Sequence, residues 1–557
     1  MSTVRFLLTI AVLLISTPAL LAGPSRSIDR VDPPAENEFP GGRGPDQLVL
    51  YTPEAGRTHT GTNEWGVEAV VVQGVVVRIM ENNNEIPEDG FVVSGNEAAA
   101  RWIGENLSPG TPVRLEEENG EFVLHVDDSP AAITRSLLVR LELLDDDPNF
   151  PVDDEYAVQA AQSAEERLRQ MAGTEEYVSL DVVRARVEGL EEQTRRNRLG
   201  AMHSPEGEVR GFWSRLPVYT EEELVAYVEE LAETGVNVFF PEVVYGSQAA
   251  YHDPTGLYPM WGHFDEDIDP LEIIIRECHA HGIEVHAWVH CFFIGTQLRD
   301  AHLAERYSDW LAQDRTGSQV SEIEPYFMYF SPSHPEVREA LITAYVALVE
   351  NYDIDGFQFD YIRYPRPESW EEQWDYSPAA REKARENLGF DPMDITPDEN
   401  PAEWEQWMDW RAEVITSFVR EASEAIREVR PDIVLTADVF HDPDDAFEYR
   451  GQDWPRWARE ELVDAVIPMA YRNSADYVAG VVENMKRILP EDHPLIIGLG
   501  PYLGFTAEEL VGQIEAVREA GTTGQVLFSL ETTNPRAKEA LGLGPWRNRT
   551  APVWDRE

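Results

Sequence analysis

From residue 210 onward the chain alternates strand-like and helix-like segments until eight strand candidates have passed in order, the number that a closed parallel barrel requires. The candidates are 210–216, 236–244, 284–292, 356–362, 433–440, 465–471, 495–501 and 525–530. Amphipathic helix patterns separate most neighbours. Val225, Val228 and Leu231, and later Leu341, Ala344, Tyr345 and Leu348, recur at the spacing that gives a helix one apolar stripe to lay on a parallel sheet. Gly235 and Gly282, just ahead of the second and third candidates, suit helix C-terminal caps. No G-x-G-x-x-G turn follows the first candidate, which argues against an open doubly wound sheet. The reading is therefore an α/β chain whose main body is a (β/α)8 TIM barrel over 206–545, followed by a tail over 546–557.

Upstream the signals change. Arg5 followed by the apolar run 6–21, with small residues at Ala19 and Ala22, reads as a secretory signal peptide over 1–22. The run is short for a bilayer span and no later segment is apolar for long enough. The expectation is an exported protein, periplasmic or extracellular, with no stable membrane insertion after signal cleavage. Residues 23–45, rich in Pro, Gly, Arg and Asp, read as a flexible tether. The β-branched run 66–80, the pieces 90–93 and 122–126 and a helix pattern over 96–106 make 46–150 a small β-rich accessory domain. Ala, Glu, Arg and Leu at helical spacing over 155–199 make 151–205 a helical connector. Cys278 and Cys291 are too few for a disulfide framework and fit small core residues, with one bridge left open.

Charge narrows the partners. The formal net charge is -58, and lysine occurs only at Lys383, Lys486 and Lys538. Such a field repels nucleic acid and anionic membrane surfaces, which are bound through Lys and Arg clusters. It suits solubility in salty surroundings, where self-repulsion is screened. Oligomeric state is not readable from the sequence.

In TIM barrels the working side chains sit where strands end. That rule selects, from 103 acidic residues, Glu242 after strand two, Asp360 at strand four, Asp438 at strand five and Glu531 after strand eight. Alternation within 355–365 sends Gln358 and Asp360 to one face, into the barrel mouth. Arg363 is expected beside Asp360, keeping it ionised. Aromatic residues that could stack on sugar rings gather at the same loops: Trp213, Tyr245, Trp288, Tyr361, Tyr364, Tyr471 and Tyr502. His286 and His290 alternate onto one face of strand three, where they could orient a hydroxyl or a carboxylate, or hold zinc with an acidic neighbour. The absence of an H-E-x-x-H pattern weighs against zinc, and no metal or other cofactor is expected. The insert over 366–401, with Trp370 and Trp374, reads as a lid or substrate wall.

Arg210-Gly-Phe-Trp213, Glu284-Val-His-Ala-Trp288, Asp355 through Pro365, Gln452 through Trp457 and Pro468-Met-Ala-Tyr471 together resemble the bacterial family 10-like glycosyl hydrolases of the DUF187 group, in order over roughly 206–545. The resemblance implies a TIM barrel that cleaves glycan strands, including peptidoglycan stripped of its stem peptides. Where many of those relatives carry an Asp-Asp pair, this chain has Asp360 followed by Tyr361. The segment 86–95 also resembles a small module found before exported glycosidases. Glycoside hydrolysis uses one carboxyl as acid and another as nucleophile or base. On that footing Asp360 is the expected nucleophile or transition-state stabiliser, with Asp438 or Glu531 as the acid. Trp213, Glu242, Tyr245, His286, Trp288, His290, Gln358, Arg363, Tyr364 and Tyr471 are expected to bind a polysaccharide substrate. Two other functions stay open: a non-catalytic glycan-binding barrel, and a metal-dependent deacetylase or amidohydrolase.

Overall fold

A computed structural model describes residues 24–554 apart from 33–45, 54–57, 63–65, 81–83, 119–120, 146, 150–154, 173–179, 218–219, 263, 265–267, 299–301 and 325. The signal-peptide reading over 1–22 lies outside the described residues. The chain divides into two units, 1–198 and 199–557.

In the second unit eight parallel strands close on themselves: β1 (Val209–Ser214), β2 (Val238–Tyr245), β3 (Glu284–His290), β4 (Gly356–Asp360), β5 (Val434–Phe440), β6 (Ala465–Met469), β7 (Ile496–Leu499) and β8 (Gly524–Phe528). Each pairs with the next, and β8 pairs with β1, from Gly524 opposite Val209 to Phe528 opposite Trp213. This is the (β/α)8 barrel that the alternation predicts. Helices α1 (Glu221–Glu233), α2 (Pro270–Ala280), α3 (Pro335–Asn351), α4 (Pro401–Val429), α5 (Trp454–Arg459), α6 (Ala475–Ile488), α7 (Ala507–Ala520) and α8 (Pro535–Leu543) follow the strands in turn. Their starts are written locally: Thr220 and Thr506 close capping boxes with Glu223 and Glu509, and Asp269 accepts from the backbone N–H groups of Leu271 and Glu272. Their apolar stripes meet the outer strand faces in one core that includes Leu224, Val228, Leu231, Ile274, Leu341 and Tyr345.

The barrel interior is a separate packed column of Val209, Trp213, Val238, Phe240, Trp288, Ala465, Ile467, Ile496 and Val526. Its floor is closed by Trp554, which stacks on His286 at 4.8 Å and donates its indole N–H to Glu284 at 3.0 Å. The tail reading over 546–557 gives way here, because Trp546 is fully buried and Trp554 plugs the barrel. Gly356 opens β4 opposite His286, and a Cβ there would fall 2.2 Å from His286 Nδ1. Cys278 and Cys291 are free and buried, so neither forms a bridge.

In the first unit a five-stranded sheet runs in the order Arg30–Asp32, Leu48–Tyr51, Gly90–Gly95, Val67–Val72, Val75–Met80, and a three-stranded sheet joins Ser25–Ser27, Glu121–Val126 and Val113–Glu118. The β-branched run 66–80 is thus a hairpin, turning through Gln73 and Gly74 at φ of 50° and 77°. Residues 25–32, read as tether, contribute two of these strands because Ser25–Ser27 pairs with Glu121–Val126 and Arg30–Asp32 with Leu48–Tyr51. Helices Pro130–Asp145, Glu155–Ala172 and Leu180–Ala201 supply the helical part, so helix begins well inside the stretch read as accessory domain. Among the described residues no helix is long and apolar enough to cross a membrane.

Candidate active site

The register of the barrel decides which side chains meet at its mouth. Glu242 on β2 lies opposite Trp288 on β3, and His290, two residues on, lies opposite Asp360 on β4. Phe359 is paired with Ala437, so the next step along both strands sets Asp438 of β5 beside Asp360. Glu242, His290, Asp360 and Asp438 are all buried. Four neighbouring strands therefore deliver three carboxyls and an imidazole to one rim.

Asp360 is held at both oxygens. Trp288 Nε1 donates to Oδ2 at 2.9 Å, and the backbone N–H of Tyr361 donates to Oδ1 at 2.6 Å. The second bond uses an uncommon backbone state, since Tyr361 has φ of 48°, in the left-handed region. Both oxygens of this carboxyl are thus aligned as acceptors. His290 Nε2 lies 3.2 Å from Glu242 Oε1 and 3.8 Å from Asp360 Oδ2, near enough for ion pairing but not aligned for a hydrogen bond.

Asp438 differs from Asp360 in kind. Its Oδ1 has no hydrogen-bond partner, and burial pushes its carboxyl well above the usual carboxylate range. The charge of Asp360 adds in the same direction. One rim thus sets a carboxyl anchored by two donors next to one whose burial favours its protonated form.

Glu531, after β8, is half-buried and accepts from the backbone N–H of Arg215 at 3.4 Å. Arg215 Nε is 3.7 Å from Glu242 Oε1, and its guanidinium lies 5.3 Å over the Phe528 ring. Burial pulls its pKa down, but Glu242, Tyr361, Tyr245 and Glu531 more than reverse this, leaving it raised. Arg215 was not among the residues singled out from the sequence. The strand-end rule that selected the acids, applied to cations, would have found it directly after β1.

Tyr245, Tyr361 and Tyr471 reach the mouth. The Tyr361 ring sits 4.4 Å from His290 and Tyr245 sits 5.4 Å from it, while Tyr471 stacks on Phe528 at 5.7 Å with Tyr502 edge-on. Burial raises the Tyr471 phenol, and the nearby Asp438 and Asp360 raise it further. Other expected residues lie elsewhere. Trp213 is buried in the interior column and donates to Gln358 Oε1 at 2.6 Å, so both sit one layer below the acids as props. Trp288 is likewise buried and touches the site through its N–H. His286 belongs to the floor, its Nε2 3.2 Å from Glu284, so it does not join His290 in one ligand set.

Arg363 is not beside Asp360. It pairs with Glu324 at 2.8 Å and lies over Tyr361 at 4.9 Å, because the turn of Tyr361 carries the chain away from the carboxylate. Tyr364 is buried behind the mouth, its ring against Arg411 at 4.5 Å and packed on Gly451. The insert over 366–401 packs on the start of α4, where Tyr376 and Ile395 form a small cluster with Trp407 and Met408, and Trp374 joins the main barrel core.

Residues 208–503, just over half of the chain, match the family described as Glycosyl hydrolase-like 10. Glycosyl hydrolase YngK of Bacillus subtilis is 22% identical over 279 residues, covering 45% of this chain and 49% of that protein. Glycosyl hydrolase DigH of Escherichia coli K12 is 22% identical over 295 residues, covering 46% of this chain and 60% of that protein. The match thus spans about half of these relatives' length. Among solved structures, the glycoside hydrolase domain of PgaB (BpsB) from Bordetella bronchiseptica aligns with a TM-score of 0.47 at 15% identity, over 61% of this chain and 99% of that domain.

Proposed function

Because the chain belongs to the glycosyl hydrolase-like 10 family, we propose that it is an exported glycoside hydrolase that cleaves O-glycosidic bonds in a polysaccharide, with glycan strands of peptidoglycan as a candidate substrate. The pairing of Asp438 with Asp360 carries this reading: a carboxyl whose burial pushes its pKa upward stands beside one anchored by two donors. Asp438 gives its proton to the glycosidic oxygen as the bond to the anomeric carbon breaks. Asp360 faces the positive charge that develops on the sugar, as nucleophile or as electrostatic stabiliser. Water then completes the cleavage, and Asp438 recovers its proton from that water. Arg215 and the aromatic group of Tyr471, Tyr502 and Phe528 orient the neighbouring sugars.

The test is incubation of the purified chain with a panel of polysaccharides, including peptidoglycan freed of stem peptides, at moderate and high salt, reading new reducing ends. Product is expected from at least one, and none from Asp360→Asn with the circular dichroism unchanged. Turnover by that variant removes Asp360 from the mechanism. Binding of a glycan without product from the unaltered chain replaces hydrolysis by a recognition role.

A further inference from the structure

The motif Gln452 through Trp457 carries part of the family resemblance, yet the proposed chemistry uses none of its side chains, and Gln452 is buried. Its place follows from how the barrel ladder ends. β4 and β5 pair from Gly356 opposite Val434 to Phe359 opposite Ala437, so the ladder closes one residue short of both Asp360 and Asp438. Asp360 still pairs outward with His290 on β3, and Asp438 with Ile467 on β6. The seam between the two acids is the one that the strands leave open.

The turn Arg450–Gln452, at the end of the helix Pro443–Arg450, holds both sides of that seam. On the β5 side the Gln452 amide accepts from the backbone N–H of Phe440 at 3.2 Å and donates to the Asp438 carbonyl at 3.3 Å. Bonds of this pattern, one accepted and one donated two residues apart, are what a parallel neighbour strand would supply. The Arg450 guanidinium also lies 3.6 Å over the Phe440 ring. On the β4 side the backbone N–H of Tyr364 donates to the Arg450 carbonyl at 3.0 Å. The Tyr364 ring presses so closely on Gly451 that a Cβ there would fall 3.1 Å from it. The turn is fixed in its own right, because the Gln452 N–H donates to the Ala446 carbonyl at 2.9 Å and Trp457 donates to Thr416 on α4 at 2.9 Å.

We propose that this turn sets the spacing of the Asp360 and Asp438 carboxyls, with Gln452 as the positioning residue. The effect on cleavage rests on the hydrolase reading, in which the distance between two carboxyls decides how they share the reaction. The spacing itself does not rest on it.

Gln452→Met keeps the stem and removes both amide bonds. Crystals of the unaltered chain and of this variant are compared for the separation of the two carboxyls. A widening of about 0.5 Å or more is expected, the tolerance within which catalytic groups work. An unchanged separation overturns the proposal. On a polysaccharide that the unaltered chain cleaves, kcat is expected to fall about 10- to 100-fold, with KM little changed. The alkaline limb of kcat/KM is expected to move down toward the usual carboxyl range as Asp438 parts from Asp360. A variant that loses only melting temperature, with kcat and limb in place, overturns the proposal as well. Should Gln452→Met fail to fold, Gln452→Asn draws the same amide back by one carbon, and an unchanged separation in its crystals again overturns it. The crystal comparison needs no turnover, so failure of the turn and failure of the hydrolase reading are told apart.

Discussion

The indole N–H of Trp288 reaches from β3 to Asp360 on β4 across 2.9 Å, so the orientation of the proposed charged residue is set by a side chain that never faces the mouth. Hydrogen bonds to charged groups contribute about 1.5–3 kcal/mol. Trp288→Phe keeps most of the packing and removes the donor. A fall of roughly 10- to 100-fold in kcat/KM is expected, with the unfolding midpoint changed far less than by Trp288→Ala. Unaltered kcat/KM in the Phe variant would show that the bond is dispensable.

Asp438 makes a pH prediction whose sign follows from its raised pKa. The unfolded chain sheds this proton near the ordinary 3.8, while the folded chain keeps it to higher pH. Stability from this group is therefore full below the unfolded value and is lost as pH rises toward the folded one. Asp438→Asn should flatten that decline in urea unfolding midpoints, and in glycan cleavage it should lose activity where the acid is required. A decline equally steep in the variant would assign the slope to other groups. The alkaline limb of kcat/KM in the unaltered chain should lie above the usual carboxyl range.

Arg215 stands between Glu242 and Glu531 at the rim. Replacing it by Met keeps a stem over Phe528 but leaves the two acids unopposed. A loss of about tenfold in kcat/KM is expected, mostly through KM, with partial recovery in Arg215→Lys and a smaller gap at high salt. A pure kcat effect would place Arg215 in the chemical step instead.

Gly356→Ala tests the floor. The added Cβ would sit 2.2 Å from His286 Nδ1 and 2.4 Å from its Cγ. Overpacking of this kind costs about 1–3 kcal/mol, read as a lower urea midpoint. Combined with His286→Ala the penalty should be less than the sum of the singles, because the two changes share one space.

What the sequence made legible follows from how local each signal is. All eight barrel strands were readable because alternation of apolar runs and helix stripes is a short-range pattern, and Asp360, Asp438 and Glu242 were selected by the strand-end rule alone. The partners of those acids were not readable. Arg363 is three residues from Asp360 in sequence, yet it bonds Glu324, 39 residues away, and the side-chain donor to Asp360 comes from Trp288, 72 residues away. Proximity along the chain suggested an ion pair that the left-handed turn at Tyr361 prevents. The aromatic side chains divided for a similar reason. Trp213 and Trp288 occupy the same strand faces as mouth residues but one or two steps earlier, where the barrel is solid.

The turn at Tyr361 has one more consequence. A residue with a Cβ held at positive φ carries a standing cost of about 1–2 kcal/mol, and glycine at that position would remove it. What the glycine would also remove is the stiffness that aims the Tyr361 N–H at Asp360 and keeps the aromatic ring against His290. Because that ring also packs on Phe293 and Arg363, deleting it would cost about 3–5 kcal/mol, more than the backbone relief returns, so selection for heat resistance should keep tyrosine at 361 and the aim of its N–H with it.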